Sequence, residues 1–389
     1  MECDRIVGRA SKERPVPTRS LFLGLVIAVL VGGMGDEAAA QARVPQRAMT
    51  IGDRPSCSRC KLEFGRRTLL VDDSSDFGVP GRARNVRLAP DGSVFALFAG
   101  DMTRVYEFSS DGKVLRRLGR RGGGPGEFRR INSIFVDGSG RLHAFDQVLG
   151  RKVVFDSRTR QVVATTPLAT RGYSVIVLGE GETILSGPLS GAATAGYPYH
   201  KFGSDGTWQK SFGFDEPAFR ADLELFMLRR MRPADSRRFW SAPLNEYRLE
   251  LWNVSGVQER ALIGRRNWFE PWTEAQPVRS TEVPPAATLV DLSTDTQGRL
   301  WVLISVPAEN WRSALSDKRD VMGNRELRPG ARYLDTIVEI VEPATGKLIY
   351  RERLPLAWGG FAGLGMMWRT WLDESGVPFV ELATVKLKE

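Results

Sequence analysis

Histidine and cysteine are both scarce in this chain of 389 residues, which has two histidines and three cysteines. A catalytic zinc site of three histidines therefore cannot be built from it. His143 and His200 lie in RLHAFD and YPYHKF, where packed strand or loop side chains are expected. No Gly-x-Ser-x-Gly elbow is present, so no catalytic residue is predicted, although another kind of Ser-His-Asp triad stays open.

A long apolar run is also missing. The main candidate, LFLGLVIAVLVGGMG at residues 21–35, has 15 residues, whereas a membrane-spanning helix needs about 20. Basic residues precede this run and small residues follow it in AAAQA, which is the order of a secretory signal. Residues 1–42 are therefore predicted to be a cleaved signal peptide, with an uncleaved anchor as the alternative. The predicted location is periplasmic or extracellular, with no transmembrane span left after cleavage.

Cysteine provides one local motif, CSRC, which contains Cys57 and Cys60. Lys61 stands where a haem-attachment motif needs histidine, and no second Cys or His pair follows at zinc spacing. In an oxidising compartment, such a pair is expected to form a local disulfide. A redox or metal role is the alternative. Residues 43–60 are predicted to be a linker that carries this disulfide.

Positive charge predominates over negative charge. The chain has 55 Lys and Arg against 46 Asp and Glu, a formal net charge of +9. Residues 1–42 contribute nothing to this excess, because they contain as many acidic as basic residues. For an exported protein, the charge favours a protein partner or an anionic envelope ligand, and nucleic acid is not expected. A monomer is the expected state.

The sequence does contain a repeat of apolar strands separated by acidic or polar turns that end in glycine. Asp91-Gly92, Asp137-Gly138 and Glu180-Gly181 are typical of hairpins, because the residues of such turns adopt positive φ. A period of about 43 residues or more suits a four-stranded propeller blade. Six copies are predicted, at residues 85–119, 132–168, 174–213, 236–263, 288–354 and 365–389.

Two stretches interrupt the repeat. AFRADLELFMLRRM, residues 218–231, has apolar residues at roughly helical spacing and predicts a helical insertion before the fourth blade. ENWRSALSDKRDVMGNREL, residues 309–327, is polar and predicts a long loop with some helix inside the fifth blade.

Residues 119–156, GRRGGGPGEFRRINSIFVDGSGRLHAFDQVLGRKVVFD, resemble a repeat of the NHL type. The matching features are the Gly-Pro-Gly-Glu-Phe lead, the Val-Asp-x-x-Gly turn and the ending that includes Asp146 and Arg151. The resemblance extends over residues 85–168. It implies an exported bacterial six-bladed β-propeller, an all-β fold of four-stranded antiparallel blades, for residues 61–389. Some NHL propellers bind RNA, but the predicted export argues against that role here.

A closed ring of blades needs its first and last segments in one sheet, because open sheet edges promote aggregation. KLEFGRRTLLVD, residues 61–72, precedes the first complete repeat and has no blade of its own. We predict that it pairs as the outer strand with PFVELATVKL, residues 378–387, in the last blade. The disulfide would then lie near this closure.

The stretch GRRGGGPGEFRR, residues 119–130, is predicted to connect the first two blades. A nucleotide-binding P-loop would need Gly-Lys-Ser or Gly-Lys-Thr before a helix, and this stretch has neither. Blade connectors share one rim of a propeller with the loops between second and third strands. Six predicted binding residues meet there: Arg120, Arg121, Arg129, Arg130, Arg151 and Lys152. Arginine forks suit carboxylate and phosphate, and a solvated rim without a ligand is the alternative.

The predicted function is a non-catalytic binding or scaffold propeller that recognises a protein or an anionic envelope ligand at this rim. This prediction rests partly on the fold, which by itself does not determine function. No cofactor is predicted and no metal. The alternative is a metal-dependent hydrolase or lactonase with Ca²⁺ in the central channel, where Asn85 and Asn132 lie near the starts of inner strands. No acidic residue accompanies these two asparagines in the pattern.

Overall fold

The computed structural model describes residues 48–71, 79–168, 174–179, 181–189, 196–213, 228–274, 276–320 and 322–389. The predicted signal peptide at residues 1–42 lies outside these ranges. Residues 45–389 form one compact unit. Within the described ranges, no helix has the length and apolar character that crossing a bilayer requires.

Six four-stranded antiparallel blades make up the fold, and two strands precede the first complete blade. These two are β1 (Met49–Ile51) and β2 (Lys61–Leu70). The first blade contains β3 (Ala83–Leu88), β4 (Val94–Phe98), β5 (Asp101–Phe108) and β6 (Val114–Leu118). Its connector to the second blade contains β7 (Arg120–Arg121) and β8 (Glu127–Phe128).

The second to fourth blades continue in chain order. The second contains β9 (Ile131–Val136), β10 (Leu142–Asp146), β11 (Arg151–Phe155) and β12 (Val162–Pro167). The third contains β13 (Ser174–Leu178), β14 (Glu182–Ser186), β15 (Tyr199–Phe202) and β16 (Trp208–Phe212). The fourth contains β17 (Arg229–Pro233), β18 (Arg238–Pro243), β19 (Arg248–Asn253) and β20 (Gln258–Gly264).

The fifth blade carries an insertion between its second and third strands, and the sixth closes the ring. The fifth contains β21 (Thr288–Thr294), β22 (Leu300–Pro307), β25 (Leu334–Glu342) and β26 (Lys347–Leu354). Its insertion contains a 3₁₀ turn (Trp311–Ala314), β23 (Leu315–Arg319) and β24 (Arg325–Leu327). The sixth contains β27 (Gly360–Gly363), β28 (Met366–Leu372), β29 (Pro378–Lys388) and β2.

The core of the fold lies between neighbouring blades. The second strands β4 and β10 are buried at every position, because apolar side chains of adjacent blades cover both faces of each sheet. Between the first two blades, for example, Phe95 and Leu97 pack with Ile134. The outermost strands β6 and β12 are mostly exposed.

The first strands of the blades form a closed inner ring. They contact one another in the order β3, β9, β13, β17, β21, β27 and back to β3. This ring surrounds the central channel and confirms the predicted all-β architecture of six four-stranded blades.

Strand β2 closes the propeller as predicted. It pairs antiparallel with β29, with Lys61 opposite Lys388 and Leu70 opposite Val380. The Cys57–Cys60 disulfide, also predicted, immediately precedes β2, with 5.5 Å between the two Cα atoms.

Strand β1 is a feature that the sequence analysis missed. It lies inside the predicted linker and pairs in parallel with β20, as a fifth strand of the fourth blade. Further along, the Cys57 amide donates to the Ile349 carbonyl of the fifth blade at 3.1 Å. Residues 48–70 therefore form an N-terminal strap that runs from the fourth blade across the fifth into the sixth.

The two predicted interruptions differ from what the sequence suggested. The helical prediction for 218–231 is wrong at its end, because Arg229–Pro233 forms β17, while residues 214–227 lie outside the described ranges. The inner-ring contacts of β17 override the helical spacing of its apolar residues. In the fifth-blade insertion, the predicted short helix is present as the 3₁₀ turn Trp311–Ala314, but much of the predicted loop is a short hairpin with a small core around Trp311 and Leu315.

Candidate functional site

The glycine-rich connector between the first two blades is a folded loop anchored by Phe128. β7 and β8 pair in parallel, and Phe128 is fully buried. Gly119 has φ +91°, and a Cβ there would lie 2.6 Å from the Phe128 ring. Glycine is therefore needed for the chain to pass this ring. Glu127 accepts the Gly124 amide at 2.8 Å and binds Arg120 at 2.9 Å.

Arg151 fixes the loop from the second blade. Its guanidinium donates to the carbonyls of Gly123 at 3.1 Å, Gly124 at 2.7 Å and Glu127 at 2.6 Å. Both terminal nitrogens of Arg151, Nη1 and Nη2, are thus used by the loop. Arg151 belongs to the predicted rim, but its visible role is to hold the loop in place.

Asp146 orients the end of the connector. Its carboxylate is buried and accepts the backbone amide of Arg129 at 2.7 Å and that of Arg130 at 3.3 Å. The same carboxylate accepts the amides of Val148 and Leu149 from the adjacent loop. The backbone at residues 129–130 is therefore fixed directly before the inner strand β9.

Three of the predicted cations are exposed and unpaired. The side chains of Arg121, Arg129 and Arg130, here called the rim arginines, make no hydrogen bond or ion pair with any residue that the structure describes. The remaining arginine, Arg120, is exposed but paired with Glu127. The carboxylate of Glu127 thus neutralises Arg120, whereas the three rim guanidinium groups are open to solvent.

Lys152 does not belong to the rim, and its prediction as a rim residue is wrong. The side chain is buried, and its Nζ donates to Thr183 Oγ1 of the third blade at 3.1 Å. Burial, and secondarily the charge of Arg141, lower its pKa. Successive side chains of a strand point to opposite faces, so Lys152 packs between blades while Arg151 reaches the connector.

Both histidines are buried between strands, as the sequence predicts. His143 Nε2 lies 3.0 Å from Asp137 Oδ2, and burial lowers the pKa of His143 despite this carboxylate. His200 Nε2 lies 2.8 Å from the Gly187 carbonyl, and its Nδ1 lies 2.7 Å from Ser211 Oγ. This arrangement fits a neutral ring that donates from Nε2 and accepts at Nδ1. Burial lowers the pKa of His200 to about 4.

Acid is expected to destabilise the fold through His200. The unfolded chain binds a proton near pH 6.5, whereas the native ring does so only near about 4, so stability is full above 6.5 and falls as the pH drops. The free energy of unfolding is expected to fall by on the order of 3 kcal/mol between pH 6.5 and about 4. Urea unfolding at several pH values measures it. In the His200→Gln variant, the part of the pH dependence of the unfolding free energy that falls in this range is expected to disappear. An unchanged pH dependence would contradict its assignment to His200.

The described part of the central channel shows no carboxylate cluster for the calcium site of the hydrolase alternative. Asn85 lies in β3 and Asn132 in β9, the inner strands of neighbouring blades. Asp291, an inner-strand carboxylate, is bound by Arg232 and by the Phe361 amide. Among the described residues, no three His, Cys, Asp or Glu side chains are placed to share a metal ion. Asn85 Oδ1 is a buried oxygen with no hydrogen-bond partner, but the described residues bring no carboxylate cluster to it, whereas Ca²⁺ takes about six to eight oxygen ligands.

The arginines of the inner strands were not predicted from the sequence. Arg230 and Arg232 lie in β17, and Arg87 lies in β3. The stretch RRMRP would have indicated them if it had been recognised as an inner strand. The alternation of its arginines with a buried methionine is the period of a strand, and Met231 packs in the core.

Comparisons with known proteins support the fold. A sequence-family profile described as a 6-bladed beta-propeller matches residues 91–184. A Bacteroides vulgatus structure from a family of undefined function is 7% identical with a TM-score of 0.57, and the alignment covers 85% of this chain and 99% of that one. A candidate exported protein of Bacteroides fragilis is 9% identical with a TM-score of 0.54, covering 87% and 99%. No functionally curated protein matches the sequence.

Proposed function

We propose that this chain is an exported, non-catalytic binding propeller that recognises carboxylate or phosphate groups through its rim arginines. The groups belong to a protein partner or to another anionic component of the cell envelope. The observation that carries the proposal is that some arginine side chains at this loop have hydrogen-bond partners and others have none. Arg120 is paired with Glu127 and Arg151 donates to loop carbonyls, whereas the side chains of Arg121, Arg129 and Arg130 have no partner among the described residues.

The rigidity of the loop supports a binding role. Binding by a mobile loop loses affinity, because the loop must be ordered at the moment of association. Here Phe128, Asp146 and Arg151 fix the backbone beforehand. Guanidinium groups also offer paired donors that match the two oxygens of a carboxylate or phosphate. An anionic ligand would therefore meet a surface that is already formed.

The proposed export of the chain is based on the predicted signal peptide at residues 1–42. Residues 43–60, which carry the disulfide and add β1 to the fourth blade, then lead into the propeller at residues 61–389, which we propose acts as a monomer in the periplasm or outside the cell. The Bacteroides fragilis neighbour is itself described as a candidate exported protein. The NHL-like features at residues 119–156 suggest the same exported type of propeller. Nucleic acid is not the proposed ligand.

Removing the rim arginines is expected to weaken binding to acidic ligands at least about tenfold, since each arginine contributes roughly 0.5–1 kcal/mol at an exposed site. The variant is Arg121→Gln, Arg129→Gln and Arg130→Gln combined. The probe is a fluorescent oligo-glutamate peptide, and fluorescence anisotropy measures its dissociation constant. Vesicles that contain phosphatidylglycerol form a second arm, which separates a lipid ligand from a carboxylate-bearing protein.

A charge-matched control separates recognition from net charge. Lys113, Arg158 and Arg237 are exposed residues of turns on the opposite rim, and changing all three to glutamine removes the same charge. This control is expected to bind the probe nearly as the unmodified chain does. Equal weakening by both triple variants would mean that only overall charge matters and would contradict the proposal.

A further inference from the structure

Exposed apolar side chains occur on the same rim as the rim arginines. Blade connectors and the loops between second and third strands emerge on this rim. Met322, in the fifth-blade insertion, is 81% exposed, the largest exposure of any large apolar side chain that the structure describes. Val278 and Val283 of the connector between the fourth and fifth blades are also exposed, as is Val148 in the loop after β10. Apolar side chains grouped on one surface indicate an interaction site.

The tip of the fifth-blade insertion is a fixed turn. Asp320 Oδ1 accepts the amides of Met322 and Asn324, each at 2.9 Å. Arg319 Nη1 donates to the Gly323 carbonyl at 2.7 Å, and Gly323 adopts φ +80°. Met322 is therefore held at the end of the hairpin while its side chain stays in solvent.

The connector between the fourth and fifth blades supports this hairpin. Arg279 Nη1 donates to the Arg325 carbonyl at 2.9 Å and lies 3.4 Å from Asp320 Oδ2. In the other direction, Arg312 Nε of the insertion donates to the Thr281 carbonyl of the connector at 3.0 Å. The connector and the insertion thus form one structure, and it carries three of the exposed apolar side chains.

The charge of the insertion is complementary to an anionic surface. Residues 308–333 contain six basic and four acidic side chains, which gives a net charge of +2. Two of the carboxylates are occupied by arginines, Asp317 by Arg325 at 2.7 Å and Asp320 by Arg279 at 3.4 Å. The side chain of Lys318 is exposed and makes no hydrogen bond or ion pair with a described residue. Basic groups beside an exposed apolar side chain favour the surface of an anionic bilayer.

The apolar and cationic groups of this rim are spread around the ring. The rim arginines and Val148 belong to the first connector and the second blade, whereas Met322 belongs to the fifth blade. In the order of the inner strands, the second and fifth blades lie opposite each other. One small ligand cannot reach both sides, but a flat surface that covers the rim contacts both. A bilayer is such a surface, and it accepts an isolated apolar tip without a matching pocket.

We propose that the partner of this rim is a membrane surface that contains anionic lipids. The rim arginines contact lipid phosphates, and Met322 and Val148 enter the head-group region. Binding is peripheral and uses loops of the propeller. This inference names the partner of the proposed function, on which it rests for the rim arginines.

The test is co-sedimentation of the full chain with phosphatidylcholine vesicles, with and without phosphatidylglycerol. Binding is expected when phosphatidylglycerol is present and is expected to weaken as salt is added, because salt screens exposed charges. If the chain binds the oligo-glutamate peptide but sediments with neither kind of vesicle, the membrane inference is overturned and the proposed function stands. If it binds neither the peptide nor the vesicles, both are overturned.

A neutral substitution at the tip separates insertion from charge attraction. Met322→Ser is expected to weaken binding to the phosphatidylglycerol vesicles at least about fivefold, because the buried apolar area is lost. The matched control is Val257→Ser, at an exposed apolar residue in a turn of the opposite rim, which is expected to leave vesicle binding unchanged. Neither substitution changes the net charge. Unchanged binding of Met322→Ser, or equal weakening of both variants, would overturn the inference.

Discussion

Replacing Glu339 with glutamine is expected to lower the free energy of unfolding by about 3–5 kcal/mol, the usual cost of removing one partner from a buried ion pair. Glu339 is fully buried and accepts Arg266 Nε at 2.9 Å and Arg351 Nε at 2.6 Å. Tyr247 Oη donates to the same carboxylate at 2.5 Å. Glutamine would leave the buried Arg266 guanidinium with only the exposed Asp53 carboxylate, 3.6 Å away, as a counter-charge.

The size of this effect follows from the position of the network. Glu339 lies in β25 of the fifth blade, whereas Tyr247 and Arg266 flank the outer half of the fourth blade. Arg266 also donates to the Gly52 carbonyl of the N-terminal strap at 2.9 Å. One carboxylate therefore joins two blades and, through Arg266, the strap. Losing it loosens all three at once.

Urea unfolding measures this change, with Glu326→Gln as the matched control. Glu326 is an exposed residue of β24, so its substitution is expected to change stability by less than about 0.5 kcal/mol. Equal stability of the two variants would show that the network between the fourth and fifth blades contributes little.

Removing the N-terminal strap is expected to abolish cooperative folding. A chain that begins at Val79 lacks β1 and β2, and the sixth blade then has three strands. The whole edge of β29, Pro378–Lys388, would be open to association with other chains. The free energy of unfolding that the two strands contribute is expected to approach the roughly 5–15 kcal/mol by which a typical domain is stabilised.

The control is a chain that begins at Ala48, which keeps both strands of the strap. Thermal unfolding followed by circular dichroism, together with size-exclusion chromatography, compares the two chains. The longer chain is expected to unfold in one transition as a monomer and the shorter one to aggregate. If the shorter chain were monomeric and had the same Tm, β2 would not be what closes the ring.

Most of the fold could be predicted because its signals are local. A turn such as Asp91-Gly92 requires a glycine, and Gly92 does adopt φ +86°. The turn predicted at Gly138 shows the limit of this reasoning, because the positive φ falls on Gly140. The repeat of such turns fixes the number of blades, even where the exact turn residue is misplaced.

The elements that escaped prediction depend on distant contacts. β1 has three residues, and its partner β20 lies more than two hundred residues later in the chain. β17 has locally helical spacing, and its strand conformation follows from the neighbouring inner strands. Short segments of this kind have too little intrinsic preference to decide their own structure.

The candidate site also contains residues that the local sequence predicts and residues whose position depends on distant contacts. The connector loop and its exposed arginines could be identified because glycine and arginine are concentrated in twelve consecutive residues. The burial of Lys152 depends on Thr183 of another blade, which no local pattern reveals. Arg232 of the fourth blade meets Asp291 of the fifth only because the ring brings their inner strands together.

Hydrogen–deuterium exchange of the full chain with and without the oligo-glutamate peptide tests the central proposal most directly, because it locates the binding surface on the unmodified protein. The expected result is slower exchange at the connector, residues 119–130, and at the adjacent loop that follows Asp146. The turns that carry Lys113, Arg158 and Arg237 on the opposite rim are expected to exchange as before. Protection of those turns, or no protection at the connector when the peptide is bound, would contradict a binding role for the rim arginines.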